Sequence, residues 1–324
     1  MAAGLYRTDA AKEYMETFGI DPLQVPKGNT AKIDPLTFDK ILDLMTVKFK
    51  DEEDFVIDAH GDPNGFIIDV IQGEKAQATT QSLATLPQIL ALRAALTKAG
   101  DDLKELQRIV REKTQNADPV SPGDENNKDA VAKAVQDNKD KIEREISRLK
   151  NFAKFQDETK MAQVVKKMDD LKNKQRKRIE LRSCNMGHHQ GVMDFYRKLF
   201  NAKILRATNN FSAFGHFIPI APRSDTTYNA FIKQHGNAFP YVVTGGKFAF
   251  EFNGKPGAKA DVPSAATSDA AVTSWIKKFL GGAPNVSAAK FPIHFLLTDP
   301  PAFPQETNYK DHVKESKDTP PPTP

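Results

Sequence analysis

Residues 55–70 read FVIDAHGDPNGFIIDV. Two apolar runs, Phe55-Val56-Ile57 and Phe66-Ile67-Ile68, flank a segment holding His60, Gly61, Pro63, Asn64 and Gly65. Short β-rich runs separated by Gly, Pro and Asn predict strand, turn and strand. The His-Gly pair stands where the first strand ends. That position matters because open parallel sheets gather their functional groups beyond the carboxyl ends of the strands.

The same arrangement recurs farther on. IELRS, from Ile179, predicts a strand that ends at Cys184, the only cysteine in the chain. GVMDFYRKLF follows from Gly191, with Val192, Phe195, Leu199 and Phe200 at helical spacing. KILRAT, from Lys203, predicts the next strand. Strand, helix and strand in about thirty residues form a βαβ unit, which implies a parallel sheet.

Between these stretches the texture changes. Ile89, Leu92, Leu96, Ala99, Leu103, Leu106 and Val110 follow a 3–4 spacing. ADPVSPGDENN, from Ala117, is a polar turn, and a second stripe runs through Val131, Val135, Ile142, Leu149 and Phe152, continued by Val164, Met168 and Leu171. Two long helices joined by a polar loop predict an antiparallel hairpin over residues 83–178. The first fifty residues read as amphipathic helix, including FDKILDLMTVKF after Asp34-Pro35. YVVTGGKFAFEF predicts a β-hairpin about Gly245-Gly246, DAAVTSWIKKFL a short helix with Trp275 on its apolar side, and FPIHFLL a strand. From Asp299 the chain is rich in proline and charge and ends PPPTP, the composition of a disordered tail. The expected organisation is an α/β domain over 1–82 and 179–298, an inserted helical hairpin over 83–178, and a tail over 299–324.

Composition narrows the function. The chain has 324 residues, 39% of them hydrophobic and 27% charged, which suits a globular body carrying solvated helix. A net charge of +4 gives no argument for nucleic acid or an anionic membrane. The basic run KNKQRKR, from Lys172, reads as a solvated helix end. A single cysteine excludes an internal disulfide framework. No apolar run has the length of a signal peptide or a membrane span, so a cytoplasmic protein is expected, with signal-independent export leaving no mark.

Cys184 and His60 each follow a strand. A thiol needs such a neighbour, because the thiolate is the nucleophile and an imidazole can take its proton. The backbone N–H groups of Gly61 and Cys184 are placed to form an oxyanion hole. Asp58, Asp62, Asn185, His188 and Asn209 are candidates to line a substrate pocket, with Asp58 and Asp62 equally suited to capping strand ends. His188 and His189, with Cys184 and His60, contain zinc-ligand types. Adjacent histidines on a loop rarely converge, however, and no ligand spacing is present, so neither metal nor cofactor is expected.

His-Gly after an apolar strand, then Cys after a later strand, resembles the caspase-like cysteine peptidases, a group that includes clostripain, gingipain, separase and the CHAT domains. The segment SCNMGHHQGVMDFYRKLFNAKILRATNNFSAFG is similar to a caspase-like domain of unknown function in large bacterial surface proteins. There a Gly-Cys-Asn motif is followed by a glycine, a helix carrying Phe, and a strand ending in Ser-Thr/Asn. The matching residues here are Cys184-Asn185, Gly191, Phe195 and Ala207-Thr208-Asn209; His60-Gly61, with Pro63 and Gly65, matches the histidine motif. KFAFEF, from Lys247, is similar to a strand that follows in that family. The resemblance covers residues 50–85 and 179–255. It departs at Ser183, where the family has Gly or Ala, and in the separation of His60 and Cys184, which the inserted hairpin lengthens. It implies a mostly parallel caspase-like sheet flanked by helices. It also implies a Cys184–His60 dyad that hydrolyses peptide bonds through a thioester. The alternative is an inactive scaffold of the same fold that binds a protein partner through the hairpin.

Overall fold

The structure, a computed structural model, describes residues 1–18, 23–115, 117–219, 248–252, 255–256, 291–297 and 313–318. The turn expected at Gly245-Gly246 and the helix expected over DAAVTSWIKKFL lie outside the described residues. The chain divides into two compact units. One comprises Met1–Leu36, Lys40–Phe66 and Leu171–Pro324, the other Thr37–Asp39 and Ile67–Asp170.

A six-stranded sheet organises the first unit. Its strands are β1 (Ala2–Tyr6), β2 (Thr30–Lys32), β3 (Asp54–Ile57), β7 (Arg176–Leu181), β8 (Ala202–Thr208) and β13 (Val313–Lys317), in the order β13-β8-β7-β3-β1-β2. The five strands from β2 to β8 are parallel, and β13 runs antiparallel at the edge. Phe55, Val56 and Ile57 are all fully buried, as are Ala3 and Leu5. Burial on both faces explains why β3 reads as an unbroken apolar run. From β1 the chain moves outward to β2, then returns across β1 to lay down β3, which puts a topological switch point between β1 and β3.

Helices cover the sheet. α1 (Asp9–Phe18) places Ala10, Ala11, Tyr14 and Met15 in one buried cluster with Ala2, Val56 and Phe214. α2 (Phe38–Asp43) continues as a π-helical stretch, Leu44–Lys48, and buries Ile41, Leu42 and Met45. There the Arg176 guanidinium donates to the carbonyls of Met45, Lys50 and Glu52. α7 (Gln190–Leu199) links β7 to β8 and completes the expected βαβ unit. A short hairpin, β4 (Gly61–Asp62) and β5 (Gly65–Asp69), follows β3. Beside the main sheet lies an antiparallel one of β9 (Phe211–Pro219), β10 (Phe248–Phe252), β11 (Lys255–Pro256) and β12 (Phe291–Leu297), in the order β11-β10-β9-β12.

Two expectations are corrected in this unit. The N-terminal residues open with a central strand, not with helix. AAGLY has small residues where a strand signal needs β-branched or aromatic ones. Residues 313–317, assigned by composition to the tail, form the edge strand β13. Only Ser316 is buried there, and its hydroxyl meets Arg197 Nε at 2.9 Å and Asp194 Oδ1 at 2.5 Å. A charged edge strand with one inward residue looks like solvated chain, and charge is also what keeps an edge from pairing with other molecules.

The second unit contains β6 (Gln77–Thr79) and four helices rather than two: α3 (Thr80–Ala99), α4 (Leu103–Lys113), α5 (Lys128–Ala153) and α6 (Glu158–Asp170). α3 stops at Gly100, which has φ +54, and Asp102 caps α4 by accepting from Glu105 N at 3.2 Å. α5 stops at Lys154 in the left-handed region. Arg93 pairs with Glu143, and Asp101 pairs with Lys139 at 2.6 Å, so α3 and α5 run antiparallel. The polar linker is held against α5, because Asn138 accepts from Val120 N at 3.0 Å and donates to Val120 O at 2.8 Å. Among the described residues no helix is long and apolar enough to cross a membrane.

Candidate active site

Leu5, Ile57, Leu181 and Ala207 stand in one row across β1, β3, β7 and β8. Beyond that row the four strands end, and each delivers a polar residue to the same rim. β1 gives Arg7, β3 gives Asp58 and His60, β7 gives Cys184, and β8 gives Asn209. Ile57 pairs with Leu181, an offset of 124 (181 − 57). His60 and Cys184 differ by the same 124 (184 − 60), so both stand three residues past one register pair. Arg182 N still donates to Ile57 O at 2.9 Å, one step beyond the ladder. The His-Gly turn then lies directly against the cysteine loop: a Cβ placed on Gly61 would fall 2.9 Å from Ser183 Cβ and 2.8 Å from Met186 Cγ. Only glycine permits that approach.

The half-buried Cys184 thiol donates to Ser212 O at 3.3 Å, while Ser212 N donates to the sulfur at 3.5 Å. Burial pushes the thiol above its ordinary value, and the Asp58 charge adds to this; the Ser212 N–H and the Arg7 charge oppose it. His60 opens to solvent, yet protein surrounds enough of its ring to desolvate it. That desolvation, and then the Arg7 charge, hold the imidazole below its ordinary value. Both shifts favour the neutral thiol and imidazole over an ion pair. A neutral imidazole is the form that can accept the thiol proton.

Asp58 is buried, and its carboxylate accepts from Arg7 N at 3.2 Å and from the N–H of Thr8. Burial raises its carboxyl, and the nearby Arg7 charge partly offsets that. Asp58 thus acts as a cap at the entry to α1. Asp62 Oδ1 accepts from Asn64 N at 2.7 Å and Gly65 N at 3.1 Å, which closes the β4–β5 turn. Asn185 is in the left-handed region, and its N–H donates to Asn210 O at 3.0 Å, tying the cysteine loop to the end of β8. His188 and His189 are exposed after Cys184, and Asn209 Oδ1 accepts from Asn210 Nδ2 at 3.1 Å. Among the described residues no three His, Cys, Asp or Glu side chains converge as metal ligands.

No family model, no curated protein and no solved structure matches this chain.

The functional reading therefore stands on the geometry of the rim. Two of its contributors carry little sequence signal. Arg7 acts electrostatically on Asp58, His60 and Cys184 together, and its Nε is buried without a hydrogen-bond partner among the described residues. It follows β1 directly, so recognising that strand would have exposed it. The other is the Ser212–His294 pair on β9 and β12, joined at 2.8 Å. A lone histidine in the apolar run FPIHFLL is its only trace in the sequence.

Proposed function

We propose that the chain is a caspase-like cysteine peptidase. Cys184 is the nucleophile and His60 is its proton acceptor and donor. The observation that supports this reading is the parallel pairing of β3 with β7 at the offset that separates the two residues. In the reaction, His60 takes the thiol proton as the sulfur attacks a peptide carbonyl. The N–H groups of Gly61 and Cys184 face the developing oxyanion. As the C–N bond breaks, the leaving amine takes the proton from His60, leaving a thioester. His60 then deprotonates water, which attacks the thioester and releases the acid and the thiol. Substrates are proteins or peptides.

Cleavage of a peptide library tests the proposal. Cys184→Ala and His60→Ala are each expected to lower turnover by at least about a hundredfold while the protein stays folded. Turnover unchanged in either variant removes the dyad.

One observation favours a second reading. The Cys184 proton is bonded to the Ser212 carbonyl, and burial raises the thiol, as expected of a site that no longer reacts. In that case the chain is an inactive scaffold that binds a protein partner through its helical unit. Cys184 would then resist a peptide carrying an electrophile, and deletion of residues 67–170 would abolish partner binding.

A further inference from the structure

A buried polar chain from β9 and β12 reaches the Cys184 sulfur. His294, on β12, is buried, stacks on Phe214 and meets the edge of Tyr14. Its Nδ1 lies 3.1 Å from Arg182 Nη1, and its Nε2 lies 2.8 Å from Ser212 Oγ. A guanidinium has only donors, so Nδ1 must accept. The neutral ring then carries its proton on Nε2 and donates it to Ser212. Ser212 is therefore not the nucleophile of a serine–histidine pair, because the imidazole facing it already holds a proton. Its main chain instead grips the Cys184 sulfur through both carbonyl and N–H. Arg182 is anchored in turn: its Nε lies 3.5 Å from Glu180 Oε1, while Glu180 Oε2 lies 3.5 Å from Arg206 Nη1.

We propose that His294, acting through Ser212, is a positioning residue for Cys184. It fixes the start of β9 so that the Ser212 peptide holds the sulfur in one orientation and covers it from solvent. Arg182 sets the tautomer that makes this possible. Two observations on separate elements carry the inference: the directional bond pattern at His294, and the two contacts between Ser212 and the sulfur. Its catalytic consequence rests on the peptidase reading, whereas its effect on the thiol does not.

Cys184 is the only cysteine, so alkylation of the full chain by iodoacetamide reads this sulfur alone. The charged groups acting on it are Arg7 from the end of β1 and Asp58 from the end of β3. Both are left intact in the variants that follow. Burial raises the thiol more than the Ser212 N–H lowers it, so releasing the start of β9, which weakens both, should move the alkylation midpoint down, toward the ordinary thiol value. Thiolate nucleophilicity falls as its pKa falls, so alkylation at neutral pH should rise by only about threefold per unit of that shift.

His294→Leu is expected to show this change. His294→Gln, whose amide can accept from Arg182 and donate to Ser212, is expected to keep the wild-type profile. Identical profiles in wild type and His294→Leu overturn the proposal, as does a His294→Gln profile displaced as far as that of His294→Leu. Should His294→Leu fail to fold, Ser212→Ala decides, since it removes only the hydroxyl: a lowered midpoint supports the proposal and an unchanged one overturns it. Peptide cleavage measured in parallel separates the two ideas. A shifted profile in a chain that cleaves no peptide upholds the positioning role and rejects the peptidase.

Discussion

Gly65→Ala should be among the most damaging single-atom additions to this chain. Gly65 closes the β4–β5 hairpin opposite Asp62, with φ +137, a region that L side chains rarely adopt. Holding an alanine there costs about 1–3 kcal/mol in backbone strain. Its Cβ would also fall 2.3 Å from Tyr196 Oη and 3.1 Å from Cε2 and Cζ of that ring. Tyr196 is fully buried, packed edge-on against Phe66 and stacked on Phe200, so it has little room to give. Overpacking adds about 1–3 kcal/mol, for a total of about 2–6 kcal/mol. The clash is mainly with one oxygen, which itself accepts from Phe66 N at 3.3 Å. Tyr196→Phe alone should cost about 1–3 kcal/mol by leaving that N–H buried. Combined with Gly65→Ala, it also removes the nearest obstacle, so the double variant should lie at least about 1 kcal/mol below the sum of the singles. Urea unfolding of the four proteins, followed by circular dichroism, measures the coupling. Additivity within about 0.5 kcal/mol would refute the packing described for this turn. The outcome bears on the site because the same hairpin begins at Gly61, directly after His60.

Other consequences can be measured singly. Arg7→Met removes a charge that favours the neutral imidazole and the ionised thiol, so both the His60 titration by NMR and the Cys184 alkylation midpoint should rise. Unmoved midpoints would mean that Arg7 does not face the rim. Asp58 is raised by burial, so the folded state binds its proton more tightly than the unfolded state does. Stability should fall as pH rises from the ordinary carboxyl value through the folded one, and Asp58→Asn should remove that slope from the urea midpoint plotted against pH. Gly100→Ala meets no atom within 4 Å, so its cost is backbone strain alone, about 1–3 kcal/mol, seen as a drop in urea midpoint. A loss of several kcal/mol would contradict the described end of α3.

The elements that frame His60 and Cys184 were readable because short apolar-rich runs mark the strands and helical spacing marks the helix. FVI, IEL and KIL mark β3, β7 and β8, and the spacing of Val192, Phe195 and Leu199 marks α7. β1 was not readable, since Ala2, Ala3 and Gly4 carry no strand preference although the strand lies inside the sheet between β3 and β2. β13 escaped for the opposite reason, since its charges face solvent at an edge. In the helical unit the apolar stripe runs unbroken past Gly100, and Lys154 has no signal of a stop, so four helices read as two. The site divides in the same way. His60 and Cys184 stand out because each follows a legible strand. Arg7 depends on the hidden β1, and His294 matters only through tertiary contacts with Arg182 and Ser212.

That β3 and β7 carry His60 and Cys184 to one rim can be checked without any substrate. His60→Cys gives the chain a second thiol, three residues past the register pair Ile57–Leu181 as Cys184 is. A disulfide needs the two Cα atoms within about 7 Å. Under mild oxidation, peptide mapping should recover a reducible 60–184 link, while Val47→Cys, on the exposed π-helical stretch, should give none. Two free thiols at 60 and 184 after oxidation would mean that the residues do not share a rim, and the peptidase would go with them.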